Sequence, residues 1–381
     1  MDFDLTEEQR LLDETVRRLV KDEYGFEKRK GYKASAEGFS RKLWARYAEI
    51  GLLGLPFAEE HGGFGGSAVE SMIVMESFGR GLVLEPYLAG VILAGGIVAA
   101  LGSAAQKRTI LPPLAEGKLM LAFAHGEPHS RYALADVETS AARDGSGYVL
   151  SGKKAVVLHG DSADKLVVSA RSGGSRRDRK GISLFLVDAK AKGVAIRGYP
   201  TVDGQRAAEI ALDQVRVGAD ALLGAPGEAY ATIEHAVDRA IAALCAEAVG
   251  IMEVLNATTL EYLKTRKQFG VPIGSFQVLQ HRMAEMMLEH EQAKSMAILA
   301  ALSADDTDAK ERRRVISAAK VQIGKSGRFI GQQAIQLHGG IGMTDEYTAG
   351  HYFKRLTMIA QSFGDEDHHL ERFAEVTLPT T

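Results

Sequence analysis

A chain of 381 residues is long enough for two or three domains and a large buried core, and its 46% hydrophobic and 25% charged content is ordinary for a globular protein. A formal net charge of −3 carries no polyanion-binding signature and argues against nucleic acid as a partner. The single cysteine, Cys245, excludes an internal disulfide or a multi-cysteine metal site.

The amino terminus is acidic and lacks an apolar signal segment. Thr6 followed by Glu7 and Glu8 is a good helix start, and Leu11, Leu12, Val16 and Leu19 recur at helical spacing. A second helix is expected over 42–51 and a third over 68–78, with a glycine-rich loop at 55–66 between them. The apolar stretch 82–101 is broken by Glu85, Pro86 and glycines, so no membrane span is expected, and a soluble cytoplasmic protein follows. Residues 1–117 thus read as a helical domain.

From about Lys118 the texture changes. Short β-prone runs at 119–124, 148–151, 155–158, 165–170 and 182–187 are separated by turn residues. No helical pattern intervenes, so an antiparallel barrel or sandwich over 118–225 is expected, not a Rossmann sheet. The basic run Arg176 to Lys180 reads as a solvated surface loop. After Pro226 four amphipathic runs, at roughly 228–266, 275–303, 308–338 and 346–361, give a four-helix bundle over 226–381. Cys245, among apolar helical neighbours, reads as a buried, inert thiol.

Two segments carry most of the chemistry. Arg266-Lys-Gln-Phe-Gly270, followed by Phe276 and Gln277, closes one helical run, and Gln336-Leu-His-Gly-Gly-Ile-Gly342 closes another. A diphosphate needs fixed positive charge and hydrogen-bond donors, and an adenine needs a flat surface. Arg266 offers a permanently charged fork, Gln268 an amide and Phe269 an aromatic face. Gln336 can donate, and Gly339 and Gly340 let backbone N–H groups come close to phosphates. The bland alternative is a pair of helix C-caps.

These segments, with Leu43-Trp-Ala-Arg-Tyr-Ala-Glu-Ile-Gly-Leu-Leu-Gly-Leu-Pro-Phe-Ala-Glu-Glu-His-Gly-Gly63 and the α, β, α order, resemble the acyl-CoA dehydrogenase family over essentially the whole chain. The ending Phe363-Gly-Asp-Glu-Asp-His-His-Leu-Glu-Arg372 is similar to small subunits of pimeloyl-CoA dehydrogenase. The resemblance implies an FAD-dependent oxidoreductase that converts an acyl-CoA to its trans-2-enoyl-CoA. A carboxylate takes the α-proton and flavin N5 takes the β-hydride. It implies FAD between the β domain and the bundle, with Arg266, Gln268, Phe269, Gln277, Gln336, Gly339 and Gly340 on its ADP half across a subunit boundary. Electrons then pass to an electron-transferring flavoprotein or similar acceptor, in a homotetramer or a heterotetramer with a paralogous subunit.

The resemblance also exposes departures. The family's commonest base, a glutamate after the aromatic residue of the last motif, corresponds to Gly364, after Phe363. The alternative seat on the long helix corresponds to Ala240. From the residues themselves, Glu247 is the leading candidate. Its helical neighbours Ala243, Leu244, Gly250 and Ile251 carry no charge, so its carboxylate should be desolvated, which suits a general base. Asp365 and Glu366 are the alternatives. On the flavin-ring wall the usual Thr-Glu-Pro is Gly126-Glu127-Pro128, the Ser before Asp-Val is Ala135, and Trp-Ile-Thr-Asn is Val156-Val-Leu-His159. Phe123, His125, Ser130 and His159 are the expected contacts there.

A second reading makes the chain a non-catalytic scaffold subunit that completes a partner's FAD site. Arg80, Arg131 and Arg239 could meet a CoA phosphate or a distal substrate carboxylate, although surface salt bridges explain such arginines more often. The run 365–369 reads as a capped helix start and not a metal site.

Overall fold

The computed structural model describes residues 5–378. Helices α1 (Glu7–Glu23), α2 (Phe26–Ala34), α3 (Arg41–Glu49), α4 (Ala68–Gly81), α5 (Gly96–Leu101) and α6 (Ala104–Ala115) come first, with a π-helical stretch at Tyr87–Gly95. Strands β1 (Leu121–Ala124), β2 (Ser140–Asp144), β3 (Gly147–Leu158), β4 (Lys165–Arg171), β5 (Ile182–Asp188), β6 (Val194–Pro200), β7 (Arg206–Val217) and β8 (Leu222–Leu223) follow. The chain closes with α7 (Tyr230–Thr265), the two short strands β9 (Lys267–Gln268) and β10 (Val271–Pro272), and α8 (Gln277–Ser303), α9 (Ala309–His338), α10 (Thr348–Gln361) and α11 (Glu366–Thr377). The expected helical, β, helical order holds. The long apolar helix is α7, not 82–101: it alone among the described helices is long and apolar enough to cross a membrane, and most of its apolar window is buried.

Packing groups these elements into two compact units. One comprises the chain up to Gly31, Ala68–Val83 and everything from Ile241 on; the other comprises Tyr32–Ser67 and Leu84–Ala240. The division does not follow chain order, unlike the segments 1–117, 118–225 and 226–381 read from the sequence.

In the first unit, α4 and α7 cross at small residues. A Cβ on Gly79 would stand 2.0 Å from the Glu247 carbonyl oxygen, and one on Gly250 would stand 1.9 Å from that of Glu76. Only glycine permits this approach, and it fixes where Glu247 lies. The α8, α9, α10 and α11 helices complete the unit, each packed against α9.

In the second unit the sheet runs β6-β7-β3-β2-β4-β5-β8, with β1 joined to β4. Its pairs are antiparallel except β1–β4 and β2–β4, which are parallel. The core holds Leu150, Val157, Leu166, Val168, Phe185 and Ile210, each at most 2% exposed. Burying such a side chain contributes about 1.5–3 kcal/mol. The β3–β7 register shifts between Lys154 and Val157, and within that bulge Val156 takes a φ of 52° and is 56% exposed. A β-branched residue in the left-handed region is a backbone outlier.

Candidate functional site

The Arg266 segment is a two-residue β-hairpin. β9 pairs with β10 through Gln268 and Val271, and the turn residues Phe269 and Gly270 have φ of 55° and 81°. Two positive φ values at the turn match a type I′ connection, for which glycine suits the second position and phenylalanine does not suit the first. The strain is of order 1–3 kcal/mol, and it leaves the Phe269 ring 92% exposed. The ring meets Phe276 edge-on, with centroids 6.2 Å apart. Arg266, Gln268 and Gln277 are exposed beside it, and on the other segment so are Gln336, Gly339 and Gly340. A Cβ at Gly339 or Gly340 would meet nothing within 4 Å, so both glycines border open space, although the Gly339 amide itself caps α9 by donating to the Gln336 and Ile335 carbonyls. The two segments share one end of the helical unit: the Tyr262 and His338 rings lie 4.7 Å apart, and Arg282 donates to Gln333 at 3.1 Å. A cation, amides, an aromatic face and unobstructed glycines thus sit together, a donor set that fits a dinucleotide's diphosphate and adenine.

The expected ring wall lies in the other unit and is largely committed to holding itself together. Phe123 stacks on His125 at 5.2 Å, and His125 Nδ1 meets Ser169 Oγ at 2.9 Å. Burial, then the charge of Lys154, pushes the His125 ring down to about 3. The Lys154 ammonium is fully buried and donates to Glu127 Oε1 at 2.7 Å, Ser169 Oγ at 3.0 Å and the His125 carbonyl at 3.2 Å. Burial pushes it down to about 8 against the pull of Glu127. Glu127 also accepts from the Glu138 and Thr139 amides. Burial alone would raise its carboxyl, but Lys154 and these donors hold it below the ordinary value.

Two residues expected at this wall have partners within the fold. Ser130 is buried, its hydroxyl closing a turn by donating to the Glu127 carbonyl and accepting from the Glu127 amide, each at 3.0 Å. His159 is also buried, its Nε2 at 3.1 Å from Gln205 Oε1 and its ring edge-on to Phe39. Local turn closure and aromatic packing have claimed both side chains. The basic run is not simply solvated either, because Arg176 and Arg177 pair with the buried Asp136. Glu127, His129 and Glu138 present ligand atoms within 4.8 Å of one another. Since Glu127 already neutralises Lys154, little charge remains there for an ion.

The carboxylate candidates also have partners. Glu247 is buried as expected, but its face is not free of charge: Arg355, from α10, donates Nε to Oε1 at 2.6 Å and NH2 to Oε2 at 2.7 Å. The apolar-face argument is therefore corrected by a residue 108 positions away. Asp365 caps α11, accepting from the His368 amide at 3.0 Å, with Glu366 and Asp367 in the first turn as the capped-start reading expects. Glu366 pairs with Arg328. Arg80, raised above as a possible substrate contact, pairs with Glu76 and Glu253. Arg131 is exposed over the Tyr132 ring, and the charge of Arg239 acts on the buried Tyr87. Cys245 is fully buried, and burial pushes its thiol up to about 12, as an inert thiol should be.

The turn at Gly364 is occupied from within. Gly364 has a φ of 119°, and a Cβ there would stand 2.5 Å from His368 Cδ2 and 2.6 Å from His369 Nε2. His369 is fully buried, with Nε2 3.1 Å from the Phe363 carbonyl and Nδ1 3.4 Å from Ser317 Oγ. Burial, then the charge of Lys320, pushes this ring down to about 2. Lys320, also buried, donates to the Gly364 carbonyl at 2.8 Å and to that of Ala360 at 3.0 Å. Sequence reasoning missed Lys154, Lys320 and His369. A usable signal existed for Lys154 alone, which falls in phase with the core-facing residues Leu150 and Tyr148 of β3.

Fold and donor set together define a three-part helical, β, helical protein with exposed cationic, amide and aromatic groups at one helix end. Family models for the acyl-CoA dehydrogenase N-terminal, middle and C-terminal domains match residues 6–118, 122–215 and 230–378. "Probable acyl-CoA dehydrogenase YngJ" of Bacillus subtilis is 32% identical over 91% of this chain and 92% of its own length. Among solved structures, "PigA with FAD and proline" is 26% identical at a TM-score of 0.91, covering 98% of each chain. The ChsE4-ChsE5 complex of Mycobacterium tuberculosis is 25% identical at a TM-score of 0.88, covering 100% of each chain. The chain belongs to the acyl-CoA dehydrogenase family, whose members are FAD-dependent oxidoreductases.

Proposed function

We propose that this chain serves the FAD-dependent dehydrogenation of an acyl-CoA thioester to its trans-2-enoyl-CoA, on a dicarboxylyl or another polar or bulky acyl group. The observation that carries this reading is the ADP-type grip: a strained, 92% exposed Phe269 and exposed Arg266, with the unobstructed Gly339–Gly340 turn at the same end of the helical unit. Arg266 would neutralise the diphosphate, Phe269 would stack on the adenine, and Gln268, Gln277 and Gln336 would orient the two. In the other unit Phe123 and His125 remain the candidate ring contacts, with Lys154 and Glu127 holding their backbone in place. FAD, when bound, supplies the hydride acceptor. An electron-transferring flavoprotein or similar acceptor would then reoxidise it, in a soluble cytoplasmic tetramer.

The α-proton needs a carboxylate, and here Glu247 and Glu366 each hold an arginine while Asp365 caps a helix. A side chain at Gly364 would be strained at its φ of 119° and would have to displace the His368 and His369 rings. These observations favour a second reading, in which the chain is a scaffold subunit that lends its ADP face to a paired chain bearing the base. Purifying the chain alone and with a paralogous partner separates the two. A yellow protein bleached anaerobically by acyl-CoA supports the lone enzyme. A colourless chain that yields a yellow, substrate-reducible complex only with its partner supports the scaffold. A chain that holds no flavin in either state would sink both.

A further inference from the structure

One buried group inside the proposed grip has no role yet. His338 ends α9, immediately before Gly339, and is 2% exposed although Gln336, Gly339 and Gly340 around it are open to solvent. Its Nδ1 lies 2.7 Å from the Ala334 carbonyl, so this nitrogen carries the proton and the ring is tied to its own helix one turn back. Burial lowers its pKa from the ordinary imidazole value, the Ala334 and Thr258 carbonyls opposing.

Two tyrosine rings pack against this imidazole. Tyr262 packs at 4.7 Å with the planes 36° apart, and Tyr347 at 4.9 Å and 51°. Tyr262 sits one helical turn before Arg266 on α7, whereas Tyr347 sits between the glycine turn and α10. The turn itself folds back onto the same residue: a Cβ at Gly342 would stand 3.0 Å from His338 Cβ and 3.0 Å from the Ile335 carbonyl oxygen. The end of α7 and the segment joining α9 to α10 therefore meet on one side chain.

We propose that His338 is a positioning residue for the ADP half of FAD, a rivet between Tyr262 and Tyr347 that fixes the Arg266 hairpin against the Gly339–Gly342 turn. The proposal rests on the reading that these two segments grip FAD. Its physical content is preorganisation: the hairpin and the glycine turn reach the nucleotide already in register, and less ordering remains to be done on binding.

The test is titration of FAD, and of FMN, which lacks the adenylate, into the flavin-stripped full-length protein in its assembled state, followed by flavin fluorescence. His338→Ala should weaken FAD binding roughly tenfold and leave FMN binding unchanged, a size typical of residues coupled within one network. His338→Phe, which keeps the ring between the two tyrosines, should recover most of that loss. In a double-mutant cycle with Arg266→Ala the combined loss should be smaller than the product of the single losses. A purely structural residue would lower the melting temperature and weaken both flavins equally, or leave FAD affinity untouched; either result overturns the proposal. If His338→Ala does not fold, a His338→Phe protein no better at holding FAD than the same chain with Tyr262→Ala also overturns it. A wild-type chain that binds FAD no better than FMN removes the underlying reading, an outcome distinct from failure of the rivet alone.

Discussion

Substitution at Gly364 tests how firmly the turn in the carboxy-terminal helices is closed. Adding a single carbon, as Gly364→Ala, places it 2.6 Å from His369 Nε2 and 2.5 Å from His368 Cδ2 at a backbone φ of 119°. Non-glycine residues in that backbone region are strained by about 1–3 kcal/mol. Overpacking against a ring that cannot swing away adds about 1–3 kcal/mol, since His369 is fully buried and tied to the Phe363 carbonyl. The expected loss is therefore ~2–6 kcal/mol, a large share of the ~5–15 kcal/mol that holds a typical protein folded. Calorimetry of the assembled protein should show a melting temperature lower by about 2–8 °C. Pairing the change with His369→Ala should relieve the clash with that ring and leave the His368 contact and the backbone part, so the double variant loses less than the two single losses combined. Gly364→Glu should fail for the same reasons to supply a working base. A Gly364→Ala protein as stable as its parent would refute the packing argument, and a Gly364→Glu protein that newly reduces flavin would refute its functional consequence.

Glu247→Gln should destabilise by about 3–5 kcal/mol, because it weakens the pairing of the partly buried Arg355 inside the helical unit, while Glu247→Leu with Arg355→Met should recover most of the loss in urea titrations. A Glu247→Gln protein of parental stability that no longer reduces flavin would instead restore Glu247 as the base. Phe269→Asn replaces a strained residue with one that tolerates left-handed backbone, so thermal stability should hold or rise; FAD affinity should fall about 5–150-fold as ~1–3 kcal/mol of stacking is lost. Affinity unchanged would contradict the stacking role. The buried rings of His125 and His369 sit at about 3 and about 2 against an ordinary 6.5. The unfolded chain therefore takes protons below pH 6.5 that the folded chain refuses, and stability falls as pH drops from 6.5 toward 3. Each ring contributes up to about 1.4 kcal/mol per pH unit. Urea midpoints at pH 7 and pH 5 read this directly, and curves that coincide would overturn it.

The element order was legible because helical and strand periodicities, with glycine punctuation, are local properties of the chain. The ADP-type segments were legible for the same reason. Arg266 to Gly270 and Gln336 to Gly342 each carry their donors within one turn of sequence. The rest depends on partners distant in sequence. Glu247 is flanked on its own helix by uncharged residues, and nothing there announces Arg355. Lys154 and Glu127 lie on different strands and loops and meet only because β1 and β3 share one sheet. Gly364 reads as a lost carboxylate, but only the fold reveals that His369 has taken the space. Ser130 is an exception: a hydroxyl three residues after Glu127 is a local turn signal, and its burial could have been anticipated.

Hydrogen exchange of the assembled protein with and without FAD measures the grip itself. If the Arg266 hairpin and the glycine turn hold the nucleotide, amides across 266–277 and 336–342 will exchange more slowly once flavin is bound. Flavin bound in full, with both stretches exchanging as fast as in the stripped protein, would contradict it.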